Sequence, residues 1–94
     1  VKVRYRALAL ADLESIFQFL NERSPSGARN VLRAIHDAVA EIAAYPMAAP
    51  VTSDPTLRVK ILGRYRYKIF YEIDGDTIDI IHIRHGARRP WIKR

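Results

Sequence analysis

The sequence predicts an α+β fold of order β-α-α-β-β-β, with an antiparallel helical hairpin packed on one face of a small, mainly antiparallel sheet. Three observations carry this expectation. Apolar residues alternate near both ends of the chain, at residues 1–6 and again from 57 onward. Between them, residues 8–45 carry apolar side chains at helical spacing. A Ser24-Pro25 break divides that helical stretch in two. Helices and strands that occur in separate runs belong to the α+β class.

The first element is a strand over residues 1–6. Val1, Val3 and Tyr5 fall on one face and Lys2, Arg4 and Arg6 on the other, the period-2 pattern of a half-buried strand. Residues 8–23 form the first helix, with Leu10, Leu13, Ile16, Phe17 and Leu20 as its apolar stripe. Asp12 and Glu14 lie near its positive end and Arg23 near its negative end. Ser24 is placed to cap a second helix, and Pro25 suits its first position. That helix runs to about Tyr45 on a stripe of Val31, Leu32, Ile35, Val39 and Ile42, with Ala28, Ala38 and Ala43 allowing close approach. Pro46 ends it. So short a break implies an antiparallel hairpin. Residues 47–56, with Pro50 and Pro55, are a loop.

The sheet resumes at residues 57–62, where Leu57, Val59 and Ile61 alternate with Arg58 and Lys60. Gly63 is a turn, residues 64–73 a long strand, and Asp74-Gly75 a two-residue hairpin loop. A last strand follows over residues 76–84, then a His85-Gly86-Ala87-Arg88-Arg89-Pro90-Trp91 tail. With Asp74-Gly75 as the loop, Tyr71 pairs with Ile78, Ile69 with Ile80 and Tyr67 with His82 on a face toward the helices. The opposite face then pairs Arg66 with Ile83, Lys68 with Ile81 and Phe70 with Asp79, and Arg58 and Lys60 join it. Two readings of that mixed basic and apolar face stand, a binding surface and a solvated sheet face.

Composition bounds the rest. At 94 residues a single domain is expected, residues 1–94. A net charge of +6 and a pI near 10.1 favour a polyanion or an acidic protein as partner. The absence of cysteine excludes disulfides, thiolate metal sites and a cysteine nucleophile, and fits a reducing, cytoplasmic setting. No apolar run is long enough to span a bilayer, so no membrane role is expected.

The candidate chemistry is basic. Asp74 and Asp76 are explained by turn formation and Asp79 by pairing with a cation. His36 and His82 read as structural. His85 stands at a strand end beside Arg84, Arg88 and Arg89, where neighbouring cations favour a neutral, proton-accepting imidazole. The histidines lack ligand spacing, so neither metal nor cofactor is expected. Arg58, Lys60, Arg66, Lys68, His85 and Arg88 are the groups able to bind or cleave RNA; basic residues interleaved with aromatics serve plain nucleic-acid binding equally well.

The order of these pieces resembles the RelE/ParE toxin superfamily of bacterial type II toxin–antitoxin systems. The resemblance rests on ADLESIFQFL and ARNVLRAIHDAVAEIAAYP for the helices, LRVKILGRYRYKIFYEIDGDTIDIIHIRH for the sheet, and the closing HGARRPW. It implies a small basic toxin neutralised, in a hetero-oligomer, by a ParD-like antitoxin whose acidic amphipathic C-terminal segment wraps the helices and sheet. It implies antitoxin binding at Arg58, Lys60, Arg66, Lys68 and Phe70. In RelE-like members, which cut messenger RNA on the ribosome, the matching catalytic set is Arg58, Lys60, Lys68 and Arg88, to which the residue reading above adds His85 as a base. This chain has no C-terminal tyrosine, and Arg58 stands in place of a lysine. The ParE-like branch fits better and implies direct inhibition of DNA gyrase, without chemistry of the toxin's own, through His85, Arg88, Arg89 and Trp91.

Overall fold

A computed structural model describes residues 1–86. The elements are β1 (Lys2–Tyr5), α1 (Ala7–Arg23), α2 (Pro25–Ala44), β2 (Arg58–Ile61), β3 (Tyr67–Asp74) and β4 (Thr77–His85). The two helices pack on one side of a four-stranded sheet of order β1-β4-β3-β2. Strand β1 runs parallel to β4, and the other neighbours are antiparallel. The expected α+β order is therefore the observed one.

The helical hairpin forms as its local chemistry dictates. Ser24 closes α1, its N–H bonding to the Leu20 carbonyl at 2.8 Å, and opens α2, its hydroxyl accepting from Gly27 N–H at 3.0 Å. Pro25 then occupies the first position of α2, where no N–H is needed. The inner face of α2 supplies Ala28, Val31, Ile35, Ala38, Val39 and Ile42, all buried. Full burial of Ile35 and Ile42 contributes roughly 1.5–3 kcal/mol each. Along α1 the stripe differs from expectation. Ala9 is buried and Leu13, Ile16 and Leu20 pack on the core, whereas Leu10 and Phe17 are exposed. A small residue at position 9 lets α1 approach closely, which rotates the larger residues on either side outward.

The hairpin of β3 and β4 departs from expectation twice. The two-residue loop is Gly75-Asp76, with Asp74 opposite Thr77. Gly75 takes the left-handed conformation at the first loop position, φ 62°, where glycine is at ease. This slides the register without exchanging faces: Ile73 meets Ile78 and Tyr71 meets Ile80. The second departure does exchange them. A β-bulge falls between Phe70/Tyr71 and skips Ile81, so that beyond it Phe70 meets His82, Ile69 meets Ile83, Lys68 meets Arg84 and Tyr67 meets His85. Ile83 thereby enters the core with Tyr67, Ile69, Tyr71, Ile78 and Ile80. The expected pairings of Tyr67 with His82, Arg66 with Ile83, Lys68 with Ile81 and Phe70 with Asp79 are all replaced.

The third departure concerns β2. Arg58 pairs with Tyr71 and Lys60 with Ile69, which puts both cations on the helix side of the sheet; Val59 and Ile61 face outward beside Phe70 and Lys68. Arg58 Nη1 donates to the carbonyls of Ala49 at 2.6 Å and Met47 at 3.3 Å, and Lys60 Nζ lies 2.6 Å from Glu41 Oε1 on α2. Both heads are thus spent on holding the α2–β2 connection. Arg64–Arg66 lie outside β3, in a turn where Tyr65 and Arg66 both have positive φ, 68° and 59°. For side-chain-bearing residues that conformation is strained. Gly86 N–H donates to the Arg66 carbonyl and so ties the turn to the end of β4.

Candidate functional site

The sheet face opposite the helices is the surface these elements leave open. Its two ends differ in charge. At the hairpin end Asp79, on β4, is held by Arg4 of β1, with Arg4 Nε 2.7 Å from Oδ1 and Nη2 3.2 Å from Oδ2. Arg6 stands 4.0 Å away. The pairing of Asp79 with a cation matches expectation, and the Arg4 guanidinium holds the Asp79 carboxyl below the usual carboxylate range. At the other end Lys68 and Arg84 are directly opposite one another on neighbouring strands. Like charges so placed repel. Arg66 joins them from the adjoining turn, and Arg66 and Lys68 line a cleft of about 260 Å³ with Ile61, Leu62 and Gly86. Beside the cation pair, the Phe70 and His82 rings stack with centroids 6.0 Å apart.

His82 reaches from this face to the helices. Beyond Tyr5, where β1 ends, the outer edge of β4 has no neighbouring strand among the described residues, and Asp12 of α1 fills the gap. Its Oδ2 lies 2.6 Å from His82 Nδ1 and 2.8 Å from Ile83 N. As a carboxylate it accepts from both, which sets the tautomer with the proton on Nδ1. Asp12 therefore serves as a strand substitute rather than as a partner of the helix dipole; no acidic residue occupies the first turn of α1. Nothing in the local sequence marks Asp12 for this, because its partners lie some 70 residues away.

The recesses on the helix side include two that adjoin expected site residues. One, of about 370 Å³, lies between the end of α2 and β2 and has Tyr45, Ile61 and Lys60 on its rim. At its base the Tyr71 hydroxyl donates to the Pro46 carbonyl at 2.6 Å, and burial pushes the Tyr71 phenol up from its ordinary value. The other, at the end of β4, is bounded by Phe19, Leu20, Arg66, Tyr67 and His85, so Arg66 stands between this recess and the Lys68 cleft. There the Tyr67 and His85 rings meet edge-on at 5.1 Å.

The expected site residues therefore separate. Lys68 and Phe70 lie on the open face with Arg66 at its end. Arg58 and Lys60 lie on the helix side at the α2–β2 connection, and His85 on the helix side at the far end of β4. Arg88, Arg89 and Trp91 fall outside the described residues. Arg84 and His82, which complete the basic and aromatic part of the open face, were not among the expected binding residues. His36 is exposed on α2, 3.7 Å from Asp37. Among the described residues no three His, Cys, Asp or Glu side chains gather as metal ligands, and no helix is long and apolar enough to cross a membrane.

Comparison with known proteins adds a family. No curated protein matches the chain significantly. Among solved structures, a chain described as "Chromosomal ParDE TA system from P. aeruginosa" superposes with a TM-score of 0.79 at 22% identity, covering 90% of this chain and 95% of that one. At that identity the likeness concerns the fold. A family model described as the ParE toxin of the type II toxin-antitoxin system parDE matches residues 3–90, from β1 through β4 and past it. With a match of that extent on this β-α-α-β-β-β frame, the chain belongs to the ParE toxin family of type II toxin–antitoxin systems.

Proposed function

We propose that the chain is a toxin that inhibits DNA gyrase by direct binding, and that a cognate ParD-like antitoxin neutralises it in a hetero-oligomer. The observation that carries this reading is the family match over residues 3–90. The geometry supports a binding mode over ribosome-dependent cleavage of messenger RNA. A nuclease needs its base and cations around one scissile phosphate. Here Arg58 and Lys60 hold the α2–β2 connection on one side of the sheet, whereas Lys68 stands on the other. The cytoplasm, where gyrase works, is the compartment this reading requires.

Of the antitoxin-binding residues, Arg66, Lys68 and Phe70 belong to the open face, and Arg58 and Lys60 to the neighbourhood of the α2–β2 recess. A segment that touches both groups passes over the edge of β2, where Ile61 is 61% exposed. Gyrase binding is assigned to His85 together with Arg88, Arg89 and Trp91.

The test is supercoiling of relaxed plasmid by purified gyrase in the presence of the purified chain, alongside translation of a defined message. Loss of supercoiling with accumulation of cleaved DNA, and an intact message, is the expected result. Unimpaired supercoiling at a large excess of toxin, together with cuts in the ribosome-bound message, would overturn the proposal in favour of the nuclease branch.

A further inference from the structure

We propose that the Lys68–Arg84–Arg66 end of the open sheet face is a binding surface for a single-stranded nucleic acid. This inference requires no gyrase; it shares Arg66 and Lys68 with the surface proposed above for the antitoxin, so it concerns the chain when no antitoxin is bound.

It begins with charge. Lys68 and Arg84 are opposite one another across β3 and β4. Arg66 lines the same cleft as Lys68. Among the described residues none of the three has an anionic partner. Among the described residues the ion pairs involve Arg4, Arg6 and Lys60 instead. Asp12, the carboxylate that reaches this end of β4, is taken up by His82 and Ile83. Three unneutralised cations, two of them in a repulsive cross-strand pair, form a site whose electrostatics favour an added anion.

Which anion follows from shape and surroundings. Two of the cations are guanidinium groups, whose planar forks suit phosphate oxygens. Lysine supplies a third charge in the same row. The Phe70–His82 ring pair adjoins the cations on the same face, so basic and aromatic groups interleave as they do where proteins hold unpaired strands. Among the described residues the face is a sheet surface with no helix or ribbon projecting from it to enter a duplex groove. A single strand, whose phosphates and bases are both accessible from one side, fits a flat surface of this kind. The overall charge of +6 draws such a chain in without fixing its sequence.

The probe is a labelled single-stranded DNA of about a dozen nucleotides, followed by fluorescence anisotropy against the full chain. Three phosphate contacts predict a log–log salt slope of about −2, hence roughly a twentyfold loss of affinity between about 50 and about 200 mM salt. Replacing two of them, in Lys68→Gln with Arg84→Gln, is expected to weaken binding about 25-fold near 0.1 M salt and to flatten the slope to about −0.7. Arg29→Gln with Arg33→Gln removes the same charge from exposed positions on α2 and is expected to change binding by less than about threefold. Circular dichroism and melting curves establish that each variant is folded. Equal losses in the two double variants would mean diffuse attraction and would overturn the site. Tighter binding of a duplex of the same length would overturn the single-strand assignment. Binding of a polyglutamate peptide as tight as that of DNA, with the same sensitivity to Lys68 and Arg84, would assign the face to an acidic protein and overturn the proposal.

Discussion

Replacing Asp12 by alanine should destabilise this fold more than any other single change on the outer part of α1. The side chain is polar and lies on a helix whose interior needs only apolar contacts, yet its carboxylate closes the unpaired edge of β4. It holds His82 Nδ1 at 2.6 Å and Ile83 N–H at 2.8 Å, with the Asp12 and His82 side chains only 17% and 13% exposed. A hydrogen bond to a charged acceptor contributes about 1.5–3 kcal/mol. Partial exposure and overlap between the two bonds put the expected cost of Asp12→Ala at roughly 3 kcal/mol, a fall in Tm on the order of 15 °C for a domain of this size. Asp12→Asn retains an oxygen for Ile83 N–H and is expected to lose about half as much. The assay is a double-mutant cycle with His82→Ala, read by urea unfolding. The expected coupling is about 1–2 kcal/mol. In the His82→Ala background, Asp12→Ala should still cost about 1 kcal/mol for the Ile83 N–H left without its acceptor. A coupling below about 0.3 kcal/mol, the ordinary scatter of additive pairs, would refute the role assigned to Asp12.

Two further outcomes follow from the same geometry. The Arg4 guanidinium holds the Asp79 carboxyl below its ordinary value of 3.8 in the folded chain, so its contribution to stability is complete above that value and lost as pH falls through the lower, folded one. Asp79→Asn should therefore narrow the gap between urea midpoints at pH about 7 and pH about 3; an unchanged gap would count against the pairing. A methyl group added at Gly86 would lie 2.9 Å from the Arg66 carbonyl oxygen, a backbone atom, so Gly86→Ala should cost about 1–3 kcal/mol and lower the melting temperature. An unshifted melting curve would show that the strained Tyr65-Arg66 turn does not depend on that close approach.

Elements whose signals are local were legible from the sequence. The Ser24-Pro25 cap, the α2 stripe and the aromatic-rich β3 needed only residues within one turn or one strand. The faces were less legible, because they depend on register. Strict alternation predicted Arg58 and Lys60 on the open face. The structure turns them inward, because each cation finds an acceptor on the α2 side, Ala49 or Glu41, that sequence spacing does not reveal. The α1 stripe failed for a related reason: buried Ala9 carries too little hydrophobicity to outweigh Leu10 and Phe17 in a periodicity argument. The bulge did leave a sequence signal. Isoleucines stand at 78 and 80, then at 81 and 83, a change of phase that an unbroken strand cannot bury on one side. Taken as evidence of an inserted residue, it places Ile83 in the core and His82 outside.

That change of phase has a consequence for function. Were the register above the bulge continued without it, Ile83 would fall opposite Lys68 on the open face and Arg84 opposite Tyr67 in the core. Neither placement is tolerable, since one exposes a large apolar side chain and the other buries a charge. Skipping Ile81 corrects both, and in doing so brings Arg84 beside Lys68. The cation pair is thus a product of core packing, and Asp12, by holding Ile83 N–H, stabilises the strand just past the skipped residue. Stability and surface charge are coupled at this point of the fold. A change that loosens Asp12 should disturb the open face as well as the melting temperature. A change confined to Lys68 or Arg84 should alter binding without destabilising the protein, because it removes a repulsion of about 0.2–1 kcal/mol rather than a bond.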